Sequence, residues 1–191
     1  MAEAAIFLLK TVLGILSLAF VLRFYLQLVR ATPRNPLSAF VYAITDFLVV
    51  PARRFIPGLF GYDLSTLVLA LITEMLLLIM VLILTGANLQ TFSLMTILGI
   101  FCLSSIALLK TFIYIVIVVT FAQAVLSWVN PYSPVMPLLA AMSSPFLDVI
   151  RRRLQPIGGV DLSPLVLLVV CQLILTWPIG SLYRSVIQFL M

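Results

Sequence analysis

The side chains that could do chemistry in this sequence are few, and two of them stand deep in apolar surroundings. Glu74 lies about ten residues into the apolar run 64–84, roughly 15 Å from its start and near the midplane of any bilayer the run crosses. A carboxylate there must be paired, protonated or in contact with water. Arg23, about six residues or ~9 Å from the end of the apolar run 4–29, is the nearest candidate partner, with a side chain long enough to bridge the difference in depth. Gln123 and Gln172 occupy corresponding places later in the chain, so an Arg–Glu pair in one half is matched by two amides in the other. Two roles fit such intramembrane pairs. One is interhelical glue, each contact worth about 0.6 to 2 kcal/mol; the other is an ion or proton pathway. Glue is favoured, because a pathway ordinarily carries several acids and the sequence has no second carboxylate at midmembrane depth.

Most other chemistry is excluded by residue type. The chain has no histidine, which removes the commonest general base, metal ligand and haem ligand. Cys102 and Cys171 each stand alone in apolar sequence, without the spacing of a zinc site, redox motif or disulfide framework, and are expected to be buried packing residues. Neither GxGxxG nor GxxxxGK[ST] occurs, so no phosphate cradle is expected. No catalytic dyad can be assembled. The expectation is a protein that is not an enzyme and holds no cofactor or metal.

The elements that position these residues follow from composition. Of the 191 residues, 64% are hydrophobic and 9% charged, whereas a water-exposed surface needs about 25% charged residues. The chain is an integral membrane protein. Four apolar runs are long enough to cross a bilayer, at about 4–29, 64–84, 104–129 and 162–183, and a further apolar stretch, 92–103, precedes the third. The first run reads as a membrane anchor rather than a cleaved signal, since Arg23 interrupts it and no small-x-small site closes it.

Charge placement then sets the topology. Seven of the eleven basic residues fall in two connections, Arg30, Arg34, Arg53 and Arg54 in the first and Arg151, Arg152 and Arg153 in the second. Both loops belong on the cytoplasmic side, which requires an even number of crossings between them. That gives four spans with both termini outside, and leaves 87–103 as an outer or interfacial linker. The net charge of +5 reads as orientation and contact with anionic lipid headgroups, not nucleic-acid binding.

The chain also repeats itself at an interval of about 98 to 100 residues. Leu9-Lys10-Thr11 recurs as Leu109-Lys110-Thr111, Pro33-x-x-Pro36 as Pro131-x-x-Pro134, and Arg53-Arg54-x-x-Pro57 as Arg152-Arg153-x-x-Pro156. Asp63-Leu64-Ser65 recurs as Asp161-Leu162-Ser163. The predicted fold is therefore an all-α membrane protein with four transmembrane helices arranged as two parallel repeats, 1–86 and 104–191, each a span, a basic amphipathic loop helix and a span. The loop helices are predicted at about 36–52 and 134–152, from the apolar stripes Leu37, Phe40, Val41, Ile44, Leu48 and Val135, Leu138, Leu139, Met142, Phe146. Stripes so short, ending in arginines, suit helices lying in the interface, with Arg53, Arg54, Arg151, Arg152 and Arg153 toward lipid phosphates or a partner. A helix packed on the bundle in water is the alternative. Asp63 or Ser65, and Asp161 or Ser163, are placed to cap the helices that re-enter the membrane, after turns at Gly61 and Gly158-Gly159. Lys10 and Lys110 sit where snorkelling is ordinary, and Trp128, Tyr132, Trp177 and Tyr183 at boundaries where aromatic anchors collect.

Pro33-Arg34-Asn35-Pro36-Leu37-Ser38, the Arg-Arg-x-x-Pro turns and Gly159-Val160-Asp161-Leu162-Ser163-Pro164 together resemble the YggT family of small bacterial inner-membrane proteins over nearly the whole chain. Two departures stand out: Phe47, and Val149-Ile150 before Arg151, where family members often carry proline. The resemblance implies a multi-pass protein of the bacterial inner membrane, in a family associated with osmotic or potassium-related stress, cell division or nucleoid organisation, and cofactor assembly on cytochrome b6. It transfers no catalytic residue. Two functional classes follow. The first is a noncatalytic scaffold or assembly factor that contacts a membrane protein partner, compatible with a homo-oligomer. The second is a small channel or transporter component using Glu74 and Arg23. The first is favoured because only one repeat carries charge at depth.

Overall fold

The computed structural model describes residues 2–31, 35–56, 58, 63–86, 94–154 and 161–190. Pro33, Arg34, Pro57, Gly61, Pro156, Gly158 and Gly159, and the segment 87–93, lie outside the described residues. The described chain is helical: α1 (Ala2–Leu28), α2 (Pro36–Ala52), α3 (Leu64–Leu84), α4 (Leu94–Val129), α5 (Met136–Arg151), α6 (Ser163–Ile174) and α7 (Gly180–Leu190). A π-helical turn, Leu175–Ile179, joins α6 to α7 around Pro178, and such a turn accommodates the missing N–H and the ring of a proline inside a continuing helix. Four helices are long and apolar enough to cross a membrane: α1, α3, α4 and the continuous Ser163–Gln188.

The boundaries of the loop helices have local causes. Asn35 caps α2, its side chain accepting from Leu37 N–H at 3.0 Å, and Pro36 enters at the first turn, where a missing N–H costs nothing. Both loop helices lie at the same end of the bundle, because Asn35 Nδ2 donates to Pro134 O at 3.3 Å and the Tyr25 hydroxyl donates to Met142 O. The helices α3 and α4 therefore run away from that end and return to it.

Three expectations change. The helix that carries the third span begins before 104: α4 is a single helix of 36 residues from Leu94, so 94–103 is helical and continuous with it. The apolar sequence there contains no residue that stops a helix. The stripe on α2 is rotated, with Ser38, Val41, Thr45 and Val49 facing the core, while Leu37 and Phe40 join Phe47 and Val50 on the outer face. Cys171 is buried but Cys102 is exposed, as an apolar residue can be where the surrounding solvent is hydrocarbon.

The core sits nearer the loop end. Phe20, Tyr25 and Leu26 of α1 pack with Val41 and Val49 of α2, Ala70 of α3, Ile115 and Val119 of α4, and Leu138, Leu139 and Met142 of α5. A second cluster joins Ile113 and Val116 to Leu147, Leu167, Cys171 and Ile179. Phe112 connects the two, meeting Tyr25 edge-on at 5.1 Å and Phe146 at 6.3 Å between ring centroids.

Candidate functional site

The polar side chains held inside this bundle form a set of ties between helices. Arg23 is 1% exposed, on the part of α1 that is buried from Ser17 to Leu26 on several faces. Its Nη1 donates to Thr45 Oγ1 at 2.6 Å and to Asp46 Oδ1 at 2.7 Å, and its guanidinium carbon lies 4.5 Å from the centre of the Tyr42 ring. Tyr42, Thr45 and Asp46 stand at i, i+3 and i+4 on α2, so one face of that helix supplies the whole cradle. Thr45 can accept from Arg23 because its own hydroxyl donates to Val41 O at 2.6 Å.

The expected Arg23–Glu74 pair is not formed. Glu74 faces α1 at a deeper level, where its Oε1 accepts from the Ser17 hydroxyl at 2.7 Å. The reason is directional. A buried arginine lowers its cost by reaching toward the polar end of its helix, and here that direction leads to α2 and away from Glu74. The amides are not brought together either. Gln123 meets the Ser143 hydroxyl of α5, whereas Gln172 is exposed on the outer face of α6.

At the loop end, arginine clamps hold the helix starts. Asp63 Oδ1 accepts from Ser65 N–H at 3.2 Å and from the Ser65 hydroxyl, while Arg53 Nε and Nη2 each reach Asp63 Oδ2 at 2.6 Å. Asp161 Oδ1 accepts from Ser163 N–H at 2.9 Å, and Arg151 Nε and Nη2 reach Asp161 Oδ2 at 2.9 and 2.8 Å. The aspartates are thus the side chains that cap, with Ser65 and Ser163 as the residues they hold. Burial pushes the Asp63 carboxyl up, but hydrogen bonds from Ser65 and Arg53 and the charge of Arg53 outweigh it and hold the pKa below the ordinary value. Asp161 is likewise held low, burial being outweighed by its contacts with Ser163 and Arg151.

These clamps engage Arg53 and Arg151, expected as lipid or partner contacts, at the helix starts they stabilise, with 47% and 42% of their side chains still exposed. They also align Arg53 with Arg151, one position away from the Arg152 suggested by the Arg-Arg-x-x-Pro match. Arg54, Arg152 and Arg153 remain exposed at the loop end.

Several participants were not anticipated: Ser17, Gln27, Tyr42, Thr45, Asp46 and Ser143. Asp46 carries a signal, being an acid on a helix otherwise built of apolar and hydroxyl residues. Ser17 carries none, because serines inside apolar runs are common. Lys110 Nζ lies 4.2 Å from the centre of the Tyr183 ring, so its charge rests on an aromatic face of α7. Among the described residues no three Cys, Asp or Glu side chains converge as a metal site requires.

Fold and ties together define a multi-pass α-helical membrane protein whose polar side chains cross-link its own helices. The CCB3/YggT family model matches residues 2–84 and 102–182, and the chain belongs to that family. It is similar to an uncharacterized protein of Pseudomonas aeruginosa, 38% identical over 164 residues that cover 85% of this chain and 81% of the relative. It is also similar to the uncharacterized protein YggT of Escherichia coli K12, 31% identical over 170 residues, 88% of this chain and 85% of the relative. An uncharacterized protein of Haemophilus influenzae is 30% identical over 169 residues, 88% of this chain and 87% of the relative. No solved structure matches the chain.

Proposed function

We propose that this chain is a noncatalytic scaffold or assembly factor of the bacterial inner membrane, built as two parallel repeats. The observation that carries this reading is the destination of the buried charges. Arg23 is directed to Thr45 and Asp46, and Glu74 to Ser17, so the two groups a conduit would need in series are turned to different helices. Side chains engaged in this way hold helices together. The double match of the family model, to 2–84 and to 102–182, supports the repeat. So does the recurrence of the Arg53–Asp63 clamp as Arg151–Asp161.

The loop helices lie in the cytoplasmic interface. Phe40, Phe47 and Val50 are 61%, 64% and 51% exposed on the outer face of α2, a surface that suits lipid and is costly in water. Arg54, Arg152 and Arg153 face anionic headgroups nearby. The partner is a membrane protein in one of the settings with which the family is associated, namely division, cofactor assembly or ion homeostasis.

Purified protein in liposomes under a potassium gradient tests the scaffold reading. Ion flux no greater than in empty liposomes, unchanged by Glu74→Gln, is expected; Glu74-dependent flux would return the channel reading to first place. Orientation is tested separately by thiol labelling of Ser133→Cys and Asn88→Cys. Ser133→Cys should label from the cytoplasmic side and Asn88→Cys from the outer side, and equal access from the cytoplasm would contradict the topology.

A further inference from the structure

Gln172 stands in the wrong solvent. It is nine residues beyond Ser163, roughly 14 Å into the fourth span and near the midplane, yet its side chain is exposed on the outside of the bundle. Its neighbours on that face, Val169 and Leu173, are 52% and 61% exposed, so the surrounding surface is one that faces acyl chains. Among the described residues the Gln172 amide has no hydrogen-bond partner. An amide in hydrocarbon has no water to replace one.

Rotation of α6 cannot bring it inward. Leu167 and Cys171 are buried against α4 and α5, and turning the helix would unpack both. Nor is a receptor waiting inside. The place held by Ser17 in the first half, where Glu74 finds its hydroxyl, is taken in the second half by the apolar Ile117. Thr176, one turn further on, is also exposed, but its hydroxyl donates to Gln172 O at 2.8 Å and is satisfied within the helix. Val169, Gln172, Leu173 and Thr176 thus form an i, i+3, i+4, i+7 seam, apolar except for one unsatisfied amide.

We propose that two copies of this chain pair in the membrane through this face of α6, the two Gln172 amides hydrogen-bonding to each other across a two-fold axis along the membrane normal. An identical chain is the occupant the chemistry favours. An amide is both donor and acceptor, so two of them satisfy each other reciprocally, and copies inserted in the same orientation carry Gln172 at the same depth. The proposal rests on α6 being a membrane span but not on the absence of ion flux, so its failure leaves the scaffold reading to be decided by the liposome experiment.

In-membrane disulfide trapping tests it. The full chain carrying Cys102→Ser and Cys171→Ala receives a single thiol at Val169→Cys, or for comparison at Ile72→Cys, which is 52% exposed on α3. The expected result is a disulfide-linked homodimer at Val169→Cys, about tenfold stronger than at Ile72→Cys, and reduced about tenfold by Gln172→Leu but retained by Gln172→Asn. Because Gln172 faces outward, Gln172→Leu should leave thermal unfolding in detergent unchanged, which separates lost pairing from lost folding. Equal trapping at the two positions, trapping indifferent to Gln172→Leu, or trapping of a different protein at Val169→Cys would each overturn the proposal.

Discussion

The two halves of the molecule perform the same mechanical task with different chemistry. In each, a polar side chain on the first span reaches a hydroxyl on the loop helix: Arg23 to Thr45 in one and Gln123 to Ser143 in the other. In each, an arginine at the end of the loop helix clamps the aspartate that caps the next span. The first half adds charge, through Asp46 beside Arg23, and adds Gln27, whose side chain accepts from Asp63 N–H at 3.3 Å. The second half has Ser144 and Ser127 in those places, and Ser127 turns back to Ala124 O. A groove of about 300 Å³, with Gln123, Ser127, Arg151 and Asp161 among its walls, stays open between α4 and α6. These two ties recur in position, whereas the Ser17–Glu74 contact has no counterpart, Ile117 and the outward Gln172 standing in its place.

The largest expected effect comes from the charged tie. Asp46→Ala leaves a guanidinium that is 1% exposed without its carboxylate, and should destabilise the protein by about 2 to 3 kcal/mol, discounted from a fully buried pair because Asp46 is itself half exposed. Ser143→Ala in the second half should cost only about 1 kcal/mol. Both are read from unfolding in detergent. Transplanting the second half's chemistry with Arg23→Gln and Asp46→Ser together should recover most of the loss, and failure to recover would mean that the halves are not interchangeable.

The deep contact is next. Ser17→Ala should cost about 1 kcal/mol, and Glu74→Gln less than that, because an amide can keep the hydrogen bond to Ser17. A loss from Glu74→Gln as large as that from Asp46→Ala would show that the carboxylate does more than meet Ser17.

The clamps are closer to water and weaker. Arg53→Ala should cost about 1 kcal/mol and Arg151→Ala about half of that, since the Asp63 side chain is 12% exposed and Asp161 38%. Acid should uncover the same ranking. Both aspartates are held below the ordinary carboxylate pKa of about 3.9, so their stabilisation is complete above that value and is withdrawn as the pH falls through the depressed one. Stability between about pH 5 and 3 should therefore fall less steeply in Asp63→Asn and Asp161→Asn than in the parent protein. The smallest effect is a gain: Ser127→Gln should supply the missing contact to the start of α6 and stabilise by about 0.5 to 1 kcal/mol.

Much of this was legible in the sequence, and the misses have physical causes. Apolar run length located all four spans, because no other solvent tolerates such sequence. A cap before each re-entering helix was readable from the Asp-Leu-Ser elements preceding an apolar run, but not whether the aspartate or the serine supplies it. The destination of Arg23 was not, because it depends on α2 folding back over the end of α1, a tertiary fact that no periodicity encodes. The start of α4 was missed because charge statistics count crossings and do not mark where a helix begins. The division of α2 into a core face of Ser38, Val41, Thr45 and Val49 and an outer face of Leu37, Phe40, Phe47 and Val50 was not legible either, because apolar residues line both faces.

The central claim, that the buried charges tie neighbouring helices and do not form a series, is tested most directly by double-mutant cycles on Arg23. Arg23→Gln is combined with Asp46→Ser in one cycle and with Glu74→Gln in another, each read by equilibrium unfolding in the same detergent. The account predicts a coupling of about 1 kcal/mol or more between Arg23 and Asp46 and near zero between Arg23 and Glu74. Substantial coupling between Arg23 and Glu74, with none to Asp46, would contradict it.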